Sequence, residues 1–158
     1  MSAANASATA VVWVNDQLHV GANIFHGDPG VLEAVQLVRD LASQHNVREL
    51  VYDPWRFGQA AQELEREGLT VVAFPQHDAR MIPASARLHA AIVEQRLVLP
   101  DDPQLARHAS DAIARHSRRG WRIDKPNPRA NIDAMIALAM AVERAEHKPA
   151  PVEVLGWL

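Results

Sequence analysis

Apolar and polar positions along the chain fall into short β-rich runs separated by stretches of helical periodicity. Thr9-Ala10-Val11-Val12-Trp13-Val14 and Gln17-Leu18-His19-Val20-Gly21-Ala22-Asn23-Ile24-Phe25 are rich in β-branched and aromatic residues, and Asn15-Asp16 between them suits a two-residue turn. The spacing predicts a β-hairpin. Asp28-Pro29, followed by Val31, Leu32, Val35, Leu37, Val38 and Leu41, supplies an N-cap, a first-turn proline and apolar residues at helical intervals, so a helix is expected to end near Asn46. Val47 to Tyr52 is a short strand that stops at Asp53-Pro54, because proline donates no hydrogen bond and steers its predecessor away from helical geometry. Phe57 to Glu67 reads as a second helix closed by Gly68, and Leu69 to Phe74 as a strand stopped by Pro75. Strand, helix, strand, helix, strand in that order implies parallel strands joined by right-handed crossovers.

Beyond this point helices dominate. Ala86, Leu88, Ala91, Ile92 and Val93 predict a helix from Pro83 onward, followed by the apolar piece Leu97-Val98-Leu99. Asp101-Asp102-Pro103 caps a helix expected to run through Leu105, Ala109, Ala112 and Ile113 to about His116. Trp121-Arg122-Ile123 is read as a last short strand. Asn131 to Glu146 is apolar nearly throughout, interrupted by Asp133, and predicts a buried helix. The tail from Lys148 to Leu158, with Pro149 and Pro151, reads as an appendage whose Val152, Val154, Leu155, Trp157 and Leu158 suit packing on the body or on a partner.

Composition narrows the picture. The 158 residues and 48% hydrophobic content are enough for one domain with one buried core, here expected over residues 1–147. A formal net charge of −3 means that the basic excess of a dedicated nucleic-acid binder is absent, so any DNA contact must be local. With no cysteine, carboxylates and histidines are the strong ligands that remain. No apolar run reaches a membrane span, and Met1-Ser2-Ala3-Ala4-Asn5 lacks the pattern of a signal peptide, so a soluble, cytoplasmic protein is expected.

Two carboxylates stand out by position. Asp53 ends a strand, where open α/β sheets place their sites, although an aspartate before proline also simply starts a turn. Asp133 is a lone acid in an apolar helix; it either meets the helix dipole in the first turn or answers to a cation. One carboxylate from a strand end and one from a helix start suit divalent cations such as Mg²⁺ or Mn²⁺, which prefer oxygen ligands and activate water for phosphodiester cleavage. Lys125 could meet a phosphate. Around it Arg118, Arg119, Arg122 and Arg129 make the most basic local stretch, which is equally a solvated loop. His108 lies on a helix face with Asp111 at i+3, a position more often structural than catalytic. The eight histidines show no zinc-protease spacing.

Val51-Tyr52-Asp53-Pro54-Trp55-Arg56-Phe57 resembles the second acidic strand in the nuclease half of phage terminase large subunits. Gly68 to Gln76 resembles the family's next strand, Leu105 to Ala112 its His-bearing helix, and Arg122-Ile123-Asp124-Lys125 with Asn131 to Ala141 its closing block. The resemblance covers roughly residues 9 to 145, with five pieces in the right order. It implies an RNase H-like fold: a mixed sheet with an N-terminal antiparallel hairpin, parallel strands and flanking helices. It further implies Mg²⁺ or Mn²⁺ bound by Asp53 and Asp133, Lys125 and His108 as active-site neighbours, and endonucleolytic cutting of concatemeric double-stranded viral DNA. By the same resemblance the partners are the terminase ATPase domain, the small terminase subunit and the portal, in the host cytoplasm.

One departure matters. The family's first catalytic aspartate lies on an opening strand ahead of the segment matched by Ala8 to Val12, and Met1 to Ser7 contain no acid. Asp16 sits at the wrong end of its strand to replace it. The sequence also has no Gly-x-x-x-x-Gly-Lys-Ser/Thr loop. A shortened reading frame, a domain begun too late and a remnant that folds but cuts poorly all remain open. So do three functional readings: an active endonuclease domain, an inactive DNA-binding or assembly module, and another RNase H-like enzyme such as a junction resolvase.

Overall fold

The computed structural model describes residues 8–27 and 29–147. In chain order its elements are β1 (Ala8–Val14), β2 (Val20–His26), α1 (Gly30–Gln44), β3 (Leu50–Tyr52), α2 (Pro54–Arg66), β4 (Val71–Ala73), α3 (Asp78–Val93), α4 (Pro103–Asp111), β5 (Ile113–Ser117), β6 (Gly120–Asp124) and α5 (Asp133–Glu146). The predicted hairpin forms, with β1 antiparallel to β2 and Trp13 opposite Gly21. A Cβ on Gly21 would come within 2.1 Å of the Trp13 ring, so only glycine leaves room for the indole. The predicted parallel pair forms as well, with β3 beside β4 across the α2 crossover. Among the described residues the strands make three two-stranded ribbons, β1-β2, β3-β4 and β5-β6.

Two apolar layers enclose β1 and β3. Alternate residues of β1, Ala8, Ala10, Val12 and Val14, join the cluster built around α5, whereas Val11 joins Val35 and Val38 of α1 and Leu64 of α2. The period-two alternation repeats in β3, where Val51 faces the first cluster and Leu50 the second. In α5, Ala134, Met135, Ile136, Leu138, Ala139, Met140 and Val142 are all buried, as expected of a helix apolar around most of its girth.

Several boundaries differ from expectation. The β1-β2 connection spans Asn15 to His19 rather than two residues, because the Asn15 Oδ1 accepts from the N–H groups of Gln17 and His19 and Leu18 takes a left-handed φ of 58°. Helix α2 starts at Pro54, not Phe57, since Asp53 caps it and proline suits the first helical position. Helix α3 starts at Asp78 and contains Pro83, which therefore lies inside the helix rather than at its beginning. The largest correction concerns the stretch after Asp111. There the expected helix gives way at Ala112, whose backbone is extended, to strand β5, which pairs with β6 through a turn closed by Gly120 at φ 134°. Val98, within the expected apolar piece, makes a single bridge to His19.

Asp28 and the tail from Lys148 lie outside the described residues. Among the described residues no helix is long and apolar enough to cross a membrane.

Ser85 joins α3 to the β5-β6 ribbon. It is fully buried, and its Oγ accepts from the Ile123 N–H at 3.0 Å. Removing the hydroxyl strands a buried donor, so Ser85→Ala should cost about 1–3 kcal/mol in urea denaturation. A loss below about 0.5 kcal/mol would show that the bond contributes little.

Candidate nuclease site

A cleft of about 2350 Å³ runs along β1 and β3 between α1 and α5, and the predicted acids Asp53 and Asp133 both line it. Asp53 follows the last residue of β3, and its Oδ1 caps α2 by accepting from the Trp55 N–H at 3.0 Å. This cap places Arg56 in the first turn of α2. From there its Nη1 reaches Asp133 Oδ1 at 3.1 Å. Asp133 is the first residue of α5, with its side chain 32% exposed. Both sequence alternatives for Asp133 therefore hold: it sits in the favourable first turn and it also faces a cation.

The basic segment divides. Arg122, Lys125 and Arg129 line the cleft with Asp124, whereas Arg118 and Arg119 form the exposed tip of the β5-β6 turn and do not. Arg122 is largely buried, its Nη1 donating to the Gln76 carbonyl at 3.0 Å and to Asp78 Oδ1 at 3.2 Å, which makes it an anchor for β6. Lys125 is exposed and its backbone is pinned from two sides. Its N–H donates to Asp124 Oδ1 at 2.8 Å, and its carbonyl accepts from Arg115 Nη2 at 3.0 Å. Burial pushes the Asp124 carboxyl upward, but the Arg115 guanidinium at 2.5 Å and the Lys125 N–H outweigh it and hold the group below its usual range.

His108 is 4% exposed and does not line the cleft. Its Nδ1 accepts from the Ala134 N–H at 3.1 Å, which fixes the neutral tautomer with the proton on Nε2 and satisfies one orphan donor at the start of α5. Burial lowers its pKa from the ordinary 6.5, against the opposing pull of Asp133 and Asp111.

Arg56 and Trp55 were not singled out from the sequence. Had α2 been started at Pro54, the three-residue spacing from the Asp53 cap would have put Arg56 at the cleft. Trp55 is 90% exposed beside it. Among the described residues no group of three or more His, Cys, Asp or Glu is placed to hold a metal ion.

This arrangement has the fold of RNase H-like terminase nucleases. The large terminase nuclease from thermophilic phage G20c superposes with a TM-score of 0.71 at 15% identity, over 87% of this chain and 75% of that one. The same nuclease with bound magnesium gives a TM-score of 0.68 at 16% identity, over 89% and 76%. The HK97 bacteriophage large terminase gives 0.67 at 16% identity, over 88% of this chain and 39% of that one. A comparison with curated proteins finds no match. The family described as terminase large subunit, endonuclease domain, matches residues 1–148, and the chain belongs to that family.

Because His108 is held neutral in the fold, the unfolded chain binds more protons once the pH drops below about 6.5. The stability it contributes is full above that pH and is lost as the pH falls through the lower folded value. His108→Asn, which keeps an acceptor in place of Nδ1 without titrating, should flatten the fall of Tm between pH 7 and pH 5. An unchanged slope in that variant would place the pH dependence elsewhere.

Proposed function

We propose that the chain is a metal-dependent endonuclease domain of a phage DNA-packaging terminase, hydrolysing phosphodiester bonds of concatemeric double-stranded DNA. The observation that carries the reading is that Asp53 and Asp133 line one cleft, with Arg56 of the Asp53-capped helix hydrogen-bonded to the Asp133 carboxylate. Membership of the terminase endonuclease family supports it.

The donor chemistry fits Mg²⁺ or Mn²⁺, since both groups are hard carboxylate oxygens and Asp53 keeps Oδ2 free of the capping bond. A divalent cation held there would supply an activated water and stabilise the leaving oxygen. In this reading the protein's own part is positional. Arg56 holds Asp133 in place at the cleft, where its guanidinium would also stand beside a bound phosphate. Lys125, on its pinned loop, meets a phosphate oxygen, and Arg129 extends the cationic rim. Arg122 acts by fixing β6, and His108 by fixing the start of α5, which makes both positioning residues. Arg118 and Arg119, at the ribbon tip, would touch DNA only beyond the cleft. The magnesium- and cobalt-bound structures of the G20c nuclease are consistent with divalent-metal use. The terminase ATPase domain, small subunit and portal would be its partners in the host cytoplasm, as the 39% coverage of the HK97 protein suggests for a part of a larger machine.

One observation favours a second reading, a DNA-binding or assembly module without activity: among the described residues no three His, Cys, Asp or Glu side chains are grouped to hold a metal ion.

Asp53→Asn and Asp133→Asn separate the two, because asparagine preserves the α2 cap while removing the charge. Under the first reading each variant nicks plasmid DNA with Mn²⁺ more slowly than the parent by more than the roughly 10- to 100-fold cost of altering an outer-shell partner, and calorimetry shows weaker Mn²⁺ binding. Equal nicking by folded parent and variants would sink the assignment of these residues.

A further inference from the structure

We propose that Trp55 is a stacking contact for the nucleotide step beside the scissile phosphate, and that the cleft therefore takes duplex DNA that is open, or easily opened, at that step. This role rests on reading the cleft as a DNA site, and it adds the residue that selects the form of the DNA.

Trp55 is 90% exposed, the most exposed of the large apolar side chains among the described residues. Helical spacing puts it there. Ala61 and Leu64 turn the inner face of α2 to the core, and Trp55 falls on the outer face with the exposed Gln59, Gln62 and Arg66 at i+4, i+7 and i+11. Polar side chains are the ordinary occupants of such a face. An indole there leaves in water most of the roughly 150–250 Å² that an aromatic side chain can bury, so packing within the chain does not account for it.

Its position supplies a partner. The Trp55 N–H donates to Asp53 Oδ1 at 3.0 Å, which fixes the backbone carrying the indole at the rim of the cleft that Asp53 and Asp133 line. Two residues span at most roughly 7 Å of chain. Successive phosphates of one strand rise about 3.4 Å along the duplex axis. A phosphate held beside Asp53 therefore has its flanking nucleotides, rather than distant ones, within reach of the Trp55 ring.

The surroundings favour nucleic acid over a protein partner. Apolar docking surfaces are contiguous patches, and the exposed apolar residues that sit together, Ile92, Val93, Val98 and Leu99, lie at the end of α3 and in the segment before α4. Trp55 instead stands next to Arg56, whose side chain is 62% exposed, and shares its cleft with Lys125 and Arg129. Aromatic rings beside cationic groups along a groove hold exposed bases, because the charges follow the backbone while the ring covers a base face. In a paired duplex those faces are already covered by neighbouring bases. The ring gains its contact only where a step unstacks, which costs least at a mismatched or unpaired step. Selection is then by DNA form and not by base sequence, since every base has a π-face.

The test measures binding of the whole chain to a fully paired duplex and to the same duplex with a short central mismatch, with Ca²⁺ in place of Mn²⁺ so that binding is read in place of cutting. The parent should bind the mismatched duplex tighter by about fivefold or more, the scale of one base stacked on an aromatic ring. Trp55→Ala should lose that preference while keeping the parental Tm and Mn²⁺ affinity, and Trp55→Phe should retain most of it. A preference that survives in Trp55→Ala, or a parent that binds both duplexes alike, overturns the proposal. Unchanged DNA binding in Trp55→Ala together with loss of self-association would assign the indole to a protein contact and overturn it as well. These outcomes leave the nuclease reading standing, whereas a parent that binds neither duplex sinks both.

Discussion

Helix α5 carries apolar side chains around most of its circumference, and a helix of that kind is stable only when other elements surround it. β1 lies against one side, α3 and α4 against others, and their shared cluster extends through Ile123 of β6. After Asp133, charged groups appear only in the last turns: Arg144 makes a bidentate pair with Glu49 ahead of β3, Glu146 receives Arg87 and Arg96, and one oxygen of Glu143 is buried without a hydrogen-bond partner among the described residues. The Arg144 guanidinium holds the Glu49 carboxyl below its usual range. Enclosure of α5 therefore fixes where its first residue, Asp133, comes to the surface.

Helix caps then place the chemistry. Asp53 caps α2, Asp102 caps α4, and His108 on α4 supplies an acceptor to the start of α5. Each cap satisfies backbone N–H groups that a helix start leaves without partners. Two helix starts are connected in a chain of dependence, in which Asp102 sets α4, α4 carries His108, and His108 steadies the turn that begins with Asp133. Asp53 differs from the others because it is both a cap and a cleft residue. Its Oδ1 is committed to backbone while its other oxygen is not.

Much of this order was legible in the sequence where one local rule decided the outcome. The hairpin, the parallel β3-β4 pair and the buried α5 follow from β-branched runs, an intervening helical pattern and unbroken apolarity. The ribbon of β5 and β6 was not, because Ala112-Ile113-Ala114 continues the helical spacing of α4 and the competing pairing partner lies beyond Gly120. Pro83 misled in the opposite way, reading as a helix start though it lies inside α3. In the site, Asp53 and Asp133 were visible as isolated acids beside apolar runs. Arg56 was hidden by a helix boundary set three residues late, and the division of the basic stretch depended on a turn that spacing alone does not reveal.

The indole of Trp13 occupies the space a side chain at position 21 would need, and this has a consequence for how the hairpin finds its alignment. Sliding one strand by a single step would turn every side chain of β1 to the opposite layer. Sliding it by two would preserve the facing but set the ring opposite His19 or Asn23, neither of which leaves the gap that glycine provides. The tryptophan thus works as a key in a keyway, and the five-residue connection can be loosely specified because alignment is read at the strand rather than at the bend.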